Sequence, residues 1–293
     1  VPERRREHVP RIIAHRGAHG PAPEHSRAAY VQALADGADG LECDVRLTAD
    51  DVAVCWHDAT LDRTTTEQGP LAERTYAGLR EVLLKPAGTR RADAGGTHRV
   101  LRLAELVELA AGAARTVELA VEVKHPDPRG RPTEDAALEV LTAAGWEATT
   151  GAVGAARVSL MAFDPDALER LAGQGVSRRD LVLLVDAGDP VALTRLTARP
   201  DDDATRAARS VARALALVDD GAFGGVGPSV AFVRGHPERV ERWVRAGRAL
   251  RVWTVAGAND LDVCLRAGAE AVITDQPAAL RRILGRAPGR GGG

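Results

Sequence analysis

Two hydrophobic periods alternate along this chain, and their order predicts its fold. Arg11 to Ala14 is a short apolar run that reads as a buried strand ending at His15-Arg16-Gly17, with a Gly- and Pro-rich turn after it through Pro23. Ser26 stands where a helix cap belongs, ahead of Ala28, Ala29, Val31, Leu34 and Ala35. From Gly40, the apolar Leu41, Cys43 and Val45 alternate with Glu42 and Asp44, the period of a strand whose polar face carries acids. After Asp50-Asp51, Val52, Val54 and Trp56 alternate again, which predicts a β-hairpin. Pairing about a centre between residues 50 and 51 sets Asp44 opposite His57. In Thr116 to Lys124, Val117, Leu119, Val121 and Val123 share one face and Glu118, Ala120, Glu122 and Lys124 the other. In a barrel the apolar face meets the outer helices and the charged face lines the interior.

The later apolar runs, Arg157 to Phe163, Leu181 to Asp186, Phe223 to Gly227, Leu250 to Val255 and Ala271 to Asp275, read as fully buried parallel strands. Helical stretches separate them near Pro165 to Ala172, Pro190 to Ala198, Ala204 to Leu217, Pro237 to Ala246 and Asp260 to Ala267. So many strand-helix units predict an α/β fold closed as a TIM-type β/α barrel rather than an open doubly wound sheet. Nine candidate strands compete for eight places, and the surplus lies at the hairpin. Residues 62–100 are polar and broken by Gly69-Pro70, Pro86-Ala87-Gly88 and Gly95-Gly96, the signature of a small insertion with one short helix near Thr75 to Leu84. Leu103 to Ala111 is the next helix. The expected organisation is an N-terminal tail over 1–10, one barrel domain over 11–285 and a flexible tail over 286–293.

Composition narrows the function. A formal net charge of −2, from 39 basic and 41 acidic residues, gives no general attraction to nucleic acid or to anionic membranes. No uninterrupted apolar run approaches the roughly 18 residues of a membrane span, so stable membrane insertion is not expected. Cys43, Cys55 and Cys264 form an odd set without CxxC spacing, which argues against a disulfide framework or a zinc site and fits a reducing cytoplasm. Lys85 and Lys124 are the only lysines in a chain that otherwise chooses Arg, so a Lys inside a strand draws notice.

In β/α barrels the active site lies at the C-terminal strand ends. The residues read there are His15 and Arg16, Glu42 and Asp44, His57, Glu122 and Lys124, Trp253, and Asp275. Three carboxylates without a Cys suit a hard divalent cation, Mg²⁺ or Ca²⁺. Two His can divide general base and general acid work, and Arg16 and Lys124 offer positive charge to a phosphate. The chain also resembles the glycerophosphodiester phosphodiesterase family. The resemblance is carried by HRG at 15–17, APEHS at 22–26, GLECDVRLTADDVAV at 40–54, HDATLDRTT at 57–65, LAVEVK at 119–124, AFDPDAL at 162–168, RVWTV at 251–255 and ITDQP at 273–277.

That resemblance implies metal-dependent hydrolysis of glycerophosphodiesters, small-molecule substrates, to glycerol 3-phosphate and an alcohol. By matching position it implies His15 and His57 as the catalytic pair and Glu42, Asp44 and Glu122 as metal ligands. Arg16 and Lys124 are then the phosphate contacts, and Trp253 is a further substrate contact. A lysophospholipase D or another phospholipase on the same barrel, and a catalytically silent metal or phosphate binder, are the alternatives. The chain departs from the family at His25, in place of the Asn of PENT, at Ala162, in place of Ser, and at Ala256, in place of Asn. These are expected to bear on substrate fit and to leave the catalytic and metal positions untouched. His19, His98, His125 and His236 match no ligand position and read as loop or surface residues.

Overall fold

The computed structural model describes residues 9–20, 22–85, 98–130, 132–186 and 204–285, with residues 204–210 as backbone only. Residues 1–8 and 286–293 of the expected tails, residues 86–97 of the expected insertion and the helix expected at Pro190 to Ala198 lie outside these residues. The first half of the chain comprises β1 (Arg11–Ala14), α1 (Arg27–Ala35), β2 (Gly40–Leu47), β3 (Ala53–Cys55), α2 (Tyr76–Leu79), α3 (Leu103–Ala111), β4 (Val117–Val123) and α4 (Thr133–Ala143). There follow β5 (Ala152–Val153), β6 (Ala156–Ala162), α5 (Pro165–Gly173), β7 (Leu181–Val185), α6 (Ala204–Asp220) and β8 (Gly225–Pro228). The chain continues through α7 (Val230–Gly235), α8 (Pro237–Arg245), β9 (Ala249–Val252), α9 (Ala258–Ala267), β10 (Ala271–Thr274) and α10 (Pro277–Ile283).

The parallel strands run in the order β1, β2, β4, β6, β7, β8, β9, β10, and β1 pairs with both β2 and β10, which closes the ring. The fold is therefore the expected TIM-type β/α barrel of eight parallel strands. The ninth candidate, β3, lies outside the ring and pairs antiparallel with the end of β2. Its register corrects the expected pairing: Val45 faces Cys55, Leu47 faces Ala53, and the Trp56 amide donates to the Asp44 carbonyl at 2.9 Å. Asp44 thus lies opposite Trp56 and not His57. The cause is the turn, in which Thr48 N–H donates to the Val52 carbonyl around the three residues Ala49, Asp50 and Asp51, the last in the left-handed region at φ 61°. An odd loop centres the hairpin on residue 50 instead of between 50 and 51.

β4 divides its faces as its alternation predicts. Val117, Leu119, Val121 and Val123 pack into the layer between strands and helices, with Leu103, Leu106 and Leu141. Ala120 joins Ile13, Met161, Val182, Ala271 and Ile273 inside the ring. A buried charge needs a partner, and Glu118, at the start of β4, has several: Ser159 Oγ donates to it at 3.1 Å, and Arg11 and Arg251 are ion-paired with it. Gly40 stands beside Glu118 in the β2–β4 ladder, where a Cβ would come within 2.9 Å of the Glu118 carbonyl, so β2 can begin there only without a side chain.

Ser26 caps α1 as expected, accepting from the Ala29 amide at 3.2 Å. Helices α4, α7 and α10 are additions to the sequence reading. The acidic first turn of α4, Thr133-Glu134-Asp135, is the available signal for one of them. After β3 the chain makes an excursion whose Leu61, Leu71, Leu79 and Leu84 pack on Val54 and Trp56 of the hairpin as a separate apolar cluster. Cys43, Cys55 and Cys264 are buried free thiols. Among the described residues, no helix is long and apolar enough to cross a membrane.

Candidate active site

The parallel register of β2 and β4 sets Asp44 beside Glu122, and the period of two puts Glu42 on the same inward face. Oxygens of Glu42, Asp44 and Glu122 come within 4.8 Å of one another, and all three residues are buried. Lys124, two residues beyond Glu122, is buried with them and places Nζ 2.8 Å from Asp44 Oδ1 and against Glu122 Oε1. Arg16 Nε lies 3.0 Å from Asp44 Oδ2, and the Arg16 amide donates to Glu42 Oε2 at 2.9 Å. Arg16 adopts φ 55°, and Gly17 follows at φ 84° with its Cα hydrogen against α1, where a Cβ would come 2.7 Å from the Ala29 carbonyl carbon. The HRG sequence thereby turns the chain sharply enough to aim both amide and guanidinium at the carboxylates.

The electrostatics of the cluster are divided. Burial pushes Asp44 up, but Lys124, Arg16, His57 and His25 outweigh it and hold its carboxyl well below the usual range. Burial, reinforced by Asp44 and Glu122, pushes Glu42 well above its usual range. Glu122 is also raised by burial and by Asp44, against the opposing pull of Lys124. Three buried carboxylates meet two cations, Lys124 and Arg16. The oxygen-only donor set and this excess of carboxylates over cations fit a hard divalent cation.

Two imidazoles open on the same cavity. His15 follows β1, its amide bonded to the Thr274 carbonyl of β10 at 2.8 Å, and this pairing brings its Nδ1 to 2.6 Å from Asp275 Oδ1. His57 follows β3, and its Nδ1 lies 2.6 Å from Asp58 Oδ1. In each case the carboxylate engages Nδ1 and Nε2 is left for the cavity. Burial holds His15 below its usual pKa, outweighing the hydrogen bond to Asp275. Asp58 is itself gripped by Arg63, whose Nε donates at 2.6 Å, and Arg63 reaches on to both oxygens of Glu24 at 2.6 and 2.7 Å. Glu24 also accepts from Arg16 at 3.0 Å, so one ionic chain links the two ends of the site.

The cavity has a volume of about 180 Å³ and is lined by seven of the nine residues expected at the strand ends: His15, Arg16, Glu42, His57, Glu122, Lys124 and Trp253. The other two adjoin it, Asp44 ion-paired with Lys124 and Arg16, and Asp275 against His15. Met161, Phe163, Leu184 and Ile273 form an apolar wall with Trp253, whose ring meets Phe163 edge to face at 5.6 Å and whose indole N–H donates to the Gly227 carbonyl. Glu24, Asp58, Arg63 and Asp186 were not read from the sequence as site residues. Asp58 and Arg63 lie within the HDATLDR stretch, where the acid directly after His57 was a usable signal.

One histidine expectation needs correction, and two loop histidines, His19 and His125, turn out to have carboxylate partners. His25 is buried, with Nε2 2.9 Å from Asp44 Oδ2 and Nδ1 2.7 Å from the Tyr30 hydroxyl, so this departure from the family touches the carboxylate cluster directly. Its backbone sits in a turn at φ 59°. His19 lies in a loop but turns inward, with Nε2 3.0 Å from Asp275 Oδ1. His125 is half-buried with Nε2 3.0 Å from Glu134. His98 is half-buried and His236 exposed. Ala162 is sealed in the strand-helix layer, and the amide of exposed Ala256 is bonded to Asp260 ahead of α9.

A β/α barrel with two carboxylate-held imidazoles, an acidic cluster and two cations at its strand ends is an enzyme scaffold suited to anionic esters. The sequence profile of the Glycerophosphoryl diester phosphodiesterase family matches residues 15–279, and the chain belongs to that family. It is 36% identical over 289 residues to the Mycobacterium tuberculosis protein named "Probable glycerophosphodiester phosphodiesterase 1", covering 96% of this chain and 95% of that protein. The barrel is shared with a crystal structure of an Oleispira antarctica phosphodiesterase in complex with the product sn-glycerol-3-phosphate, at a TM-score of 0.68 and 21% identity over 94% of this chain and 97% of that one. It is also shared with a Thermotoga maritima glycerophosphodiester phosphodiesterase, at a TM-score of 0.63 and 19% identity, covering 94% and 99%.

The Arg16–Glu24–Arg63 chain makes a stability prediction. Burial would raise Glu24, but the Arg63 hydrogen bonds and Arg16 outweigh it and pull the carboxyl from 4.5 down to about 2. A depressed carboxylate stabilises the fold fully above its unfolded pKa, and that contribution is lost as pH falls through the folded one. Glu24→Gln is expected to cost about 3 kcal/mol at pH 7, and its deficit against wild type should close as pH falls from 4.5 towards 2. Urea unfolding across that window measures it, and a pH-independent deficit would count against the linkage.

Proposed function

We propose that the protein hydrolyses glycerophosphodiesters to glycerol 3-phosphate and an alcohol, with His15 as general base, His57 as general acid, and Mg²⁺ or Ca²⁺ held by Glu42, Asp44 and Glu122. The observation that carries this reading is the opening of two Asp-held imidazoles onto one cavity that also contains the carboxylate cluster, Arg16 and Lys124. The product named in the Oleispira antarctica complex supports the substrate class. The bound cation would supply charge stabilisation for the phosphoryl oxygens as negative charge builds on them. Arg16 and Lys124, fixed by Glu24, Asp44 and Glu122, add positive charge at the same wall. Asp275 accepts from Nδ1 of His15 and so leaves Nε2 with its lone pair free, the tautomer a base requires. Asp58, shared with Arg63, orients His57 through Nδ1, and as the acid His57 starts the reaction with a second proton, on Nε2.

The nucleophile in this reading is the 2-hydroxyl of the glycerol moiety. His15 Nε2 takes its proton, the new O–P bond forms as the bond to the departing alcohol breaks, and His57 Nε2 protonates that alcohol. Water then opens the five-membered cyclic phosphate with the two imidazoles in exchanged roles. Intramolecular attack of this kind reaches effective molarities of about 10⁵ to 10⁸ M.

Turnover of glycerophosphocholine with and without chelator tests the reading as a whole. Activity should vanish in chelator and return with Mg²⁺ or Ca²⁺, and full activity in excess chelator would sink it. Faster turnover of lysophosphatidylcholine would favour the lysophospholipase D alternative. His15→Ala and His57→Ala should each lose about 10² to 10⁴-fold in rate, while His19→Ala should lose little. Equal, modest losses in all three would mean that the pair is misassigned. For the nucleophile, an analogue built on 1,3-propanediol should bind yet scarcely turn over, and a kcat comparable to that of the true substrate would point to attack by water.

A further inference from the structure

We propose that His15 Nδ1, His19 Nε2 and an Asp275 carboxylate oxygen form a second metal site, selective for a borderline ion such as Zn²⁺, whose occupation blocks catalysis. The three ligand atoms lie within 4.8 Å of one another, and of the three residues only His15 also lines the cavity. Their placement is fixed by the barrel. β1 and β10 are paired strands that end at Ala14 and Thr274, so His15 and Asp275 emerge side by side. The loop carrying His19 is pinned to α1 through the Ala18 amide and the Ala29 carbonyl at 2.9 Å. His19 Nε2 is shut off from solvent and lies 3.0 Å from Asp275 Oδ1, but out of hydrogen-bonding alignment. That nitrogen lacks the hydrogen bond its burial calls for.

The donor set differs in kind from the carboxylate cluster. Two imidazoles and one carboxylate suit Zn²⁺, whereas three carboxylates suit Mg²⁺ or Ca²⁺. Tetrahedral zinc with ligands at about 2.0 to 2.1 Å needs donor atoms about 3.3 Å apart. His15 and His19 now stand 2.6 and 3.0 Å from the Asp275 oxygen. Asp275 is 42% exposed and can swing outward by the difference, and its solvent side leaves the fourth position open to water.

The effect on catalysis follows from proton bookkeeping within one ring, and it rests on the reading of His15 as the base. Without the ion, Nδ1 carries the proton, donates it to Asp275, and leaves the Nε2 lone pair facing the cavity. An ion on Nδ1 takes that lone-pair position, so the one proton of the neutral ring sits on Nε2. Nε2 can then no longer accept the nucleophile's proton.

The experiment is a calorimetric titration with Zn²⁺ alone, in saturating Mg²⁺ to hold the carboxylate cluster, beside the Zn²⁺ dependence of glycerophosphocholine turnover. Wild type should bind one further ion and lose activity in step with binding. His19→Ala should keep its Mg²⁺-supported turnover, bind Zn²⁺ at least about tenfold more weakly and shift the inhibition curve by the same factor. Equal Zn²⁺ affinity in wild type and His19→Ala would overturn the site, and this arm needs no turnover at all. Binding that depends on His19 but leaves turnover unchanged would uphold the site and overturn both its inhibitory role and His15 as base.

Discussion

Three buried carboxylates forced onto one face by strand register are the constraint around which the rest of this molecule is arranged. Glu42 and Asp44 share an inward face because a strand repeats every two residues, and Glu122 joins them because β2 and β4 run parallel with Asp44 beside it. Like charges at this spacing in a dry interior cannot all ionise unaided. Lys124 and Arg16 meet part of the demand and drive Asp44 down, while Glu42 and Glu122 stay raised. Arg16 in turn needs an unusual backbone and a glycine after it, Glu24 ties Arg16 to Arg63, and Arg63 holds the acid behind His57. Substitution anywhere in that chain removes an ionic partner from the next member.

The parts legible from residues alone were those governed by short periods. The alternation of Val117 to Lys124 told which side chains enter the barrel, and the acids of Gly40 to Val45 told where the chemistry gathers. What escaped depended on turn geometry or on contacts remote in sequence. Asp44 missed its expected partner by one residue because a three-residue loop with a left-handed Asp51 replaced an even one. Glu24 and Arg63 are 39 residues apart, and no period connects them. His25 looked remote from the acids, yet a positive φ turns it onto Asp44. Helix α4 was passed over because Ala-rich stretches without strong amphipathic contrast resemble linker.

The two imidazoles share a geometry and differ in setting. Asp58 has its charge divided with Arg63, and both face the ionic chain that runs to Arg16. Among the described residues no Arg or Lys is ion-paired with Asp275, which is shared between two imidazoles, His15 and His19. The β1-side carboxylate is thus free of a guanidinium partner and the hairpin-side one is not. In the proposed mechanism this asymmetry suits proton acceptance by His15 and donation by His57, since a carboxylate not paired with a guanidinium does more to stabilise a newly formed imidazolium.

His57, Asp58 and Arg63 hang on the end of the hairpin and the start of the excursion, outside the ring that carries Glu42, Asp44, Glu122 and Lys124. In the proposed mechanism the ring carries the carboxylates, Lys124 and His15, while the hairpin end carries His57. Exchange of the excursion would reshape the pocket on the His57 side while strand register keeps the carboxylates in place, provided Arg63 still finds Glu24.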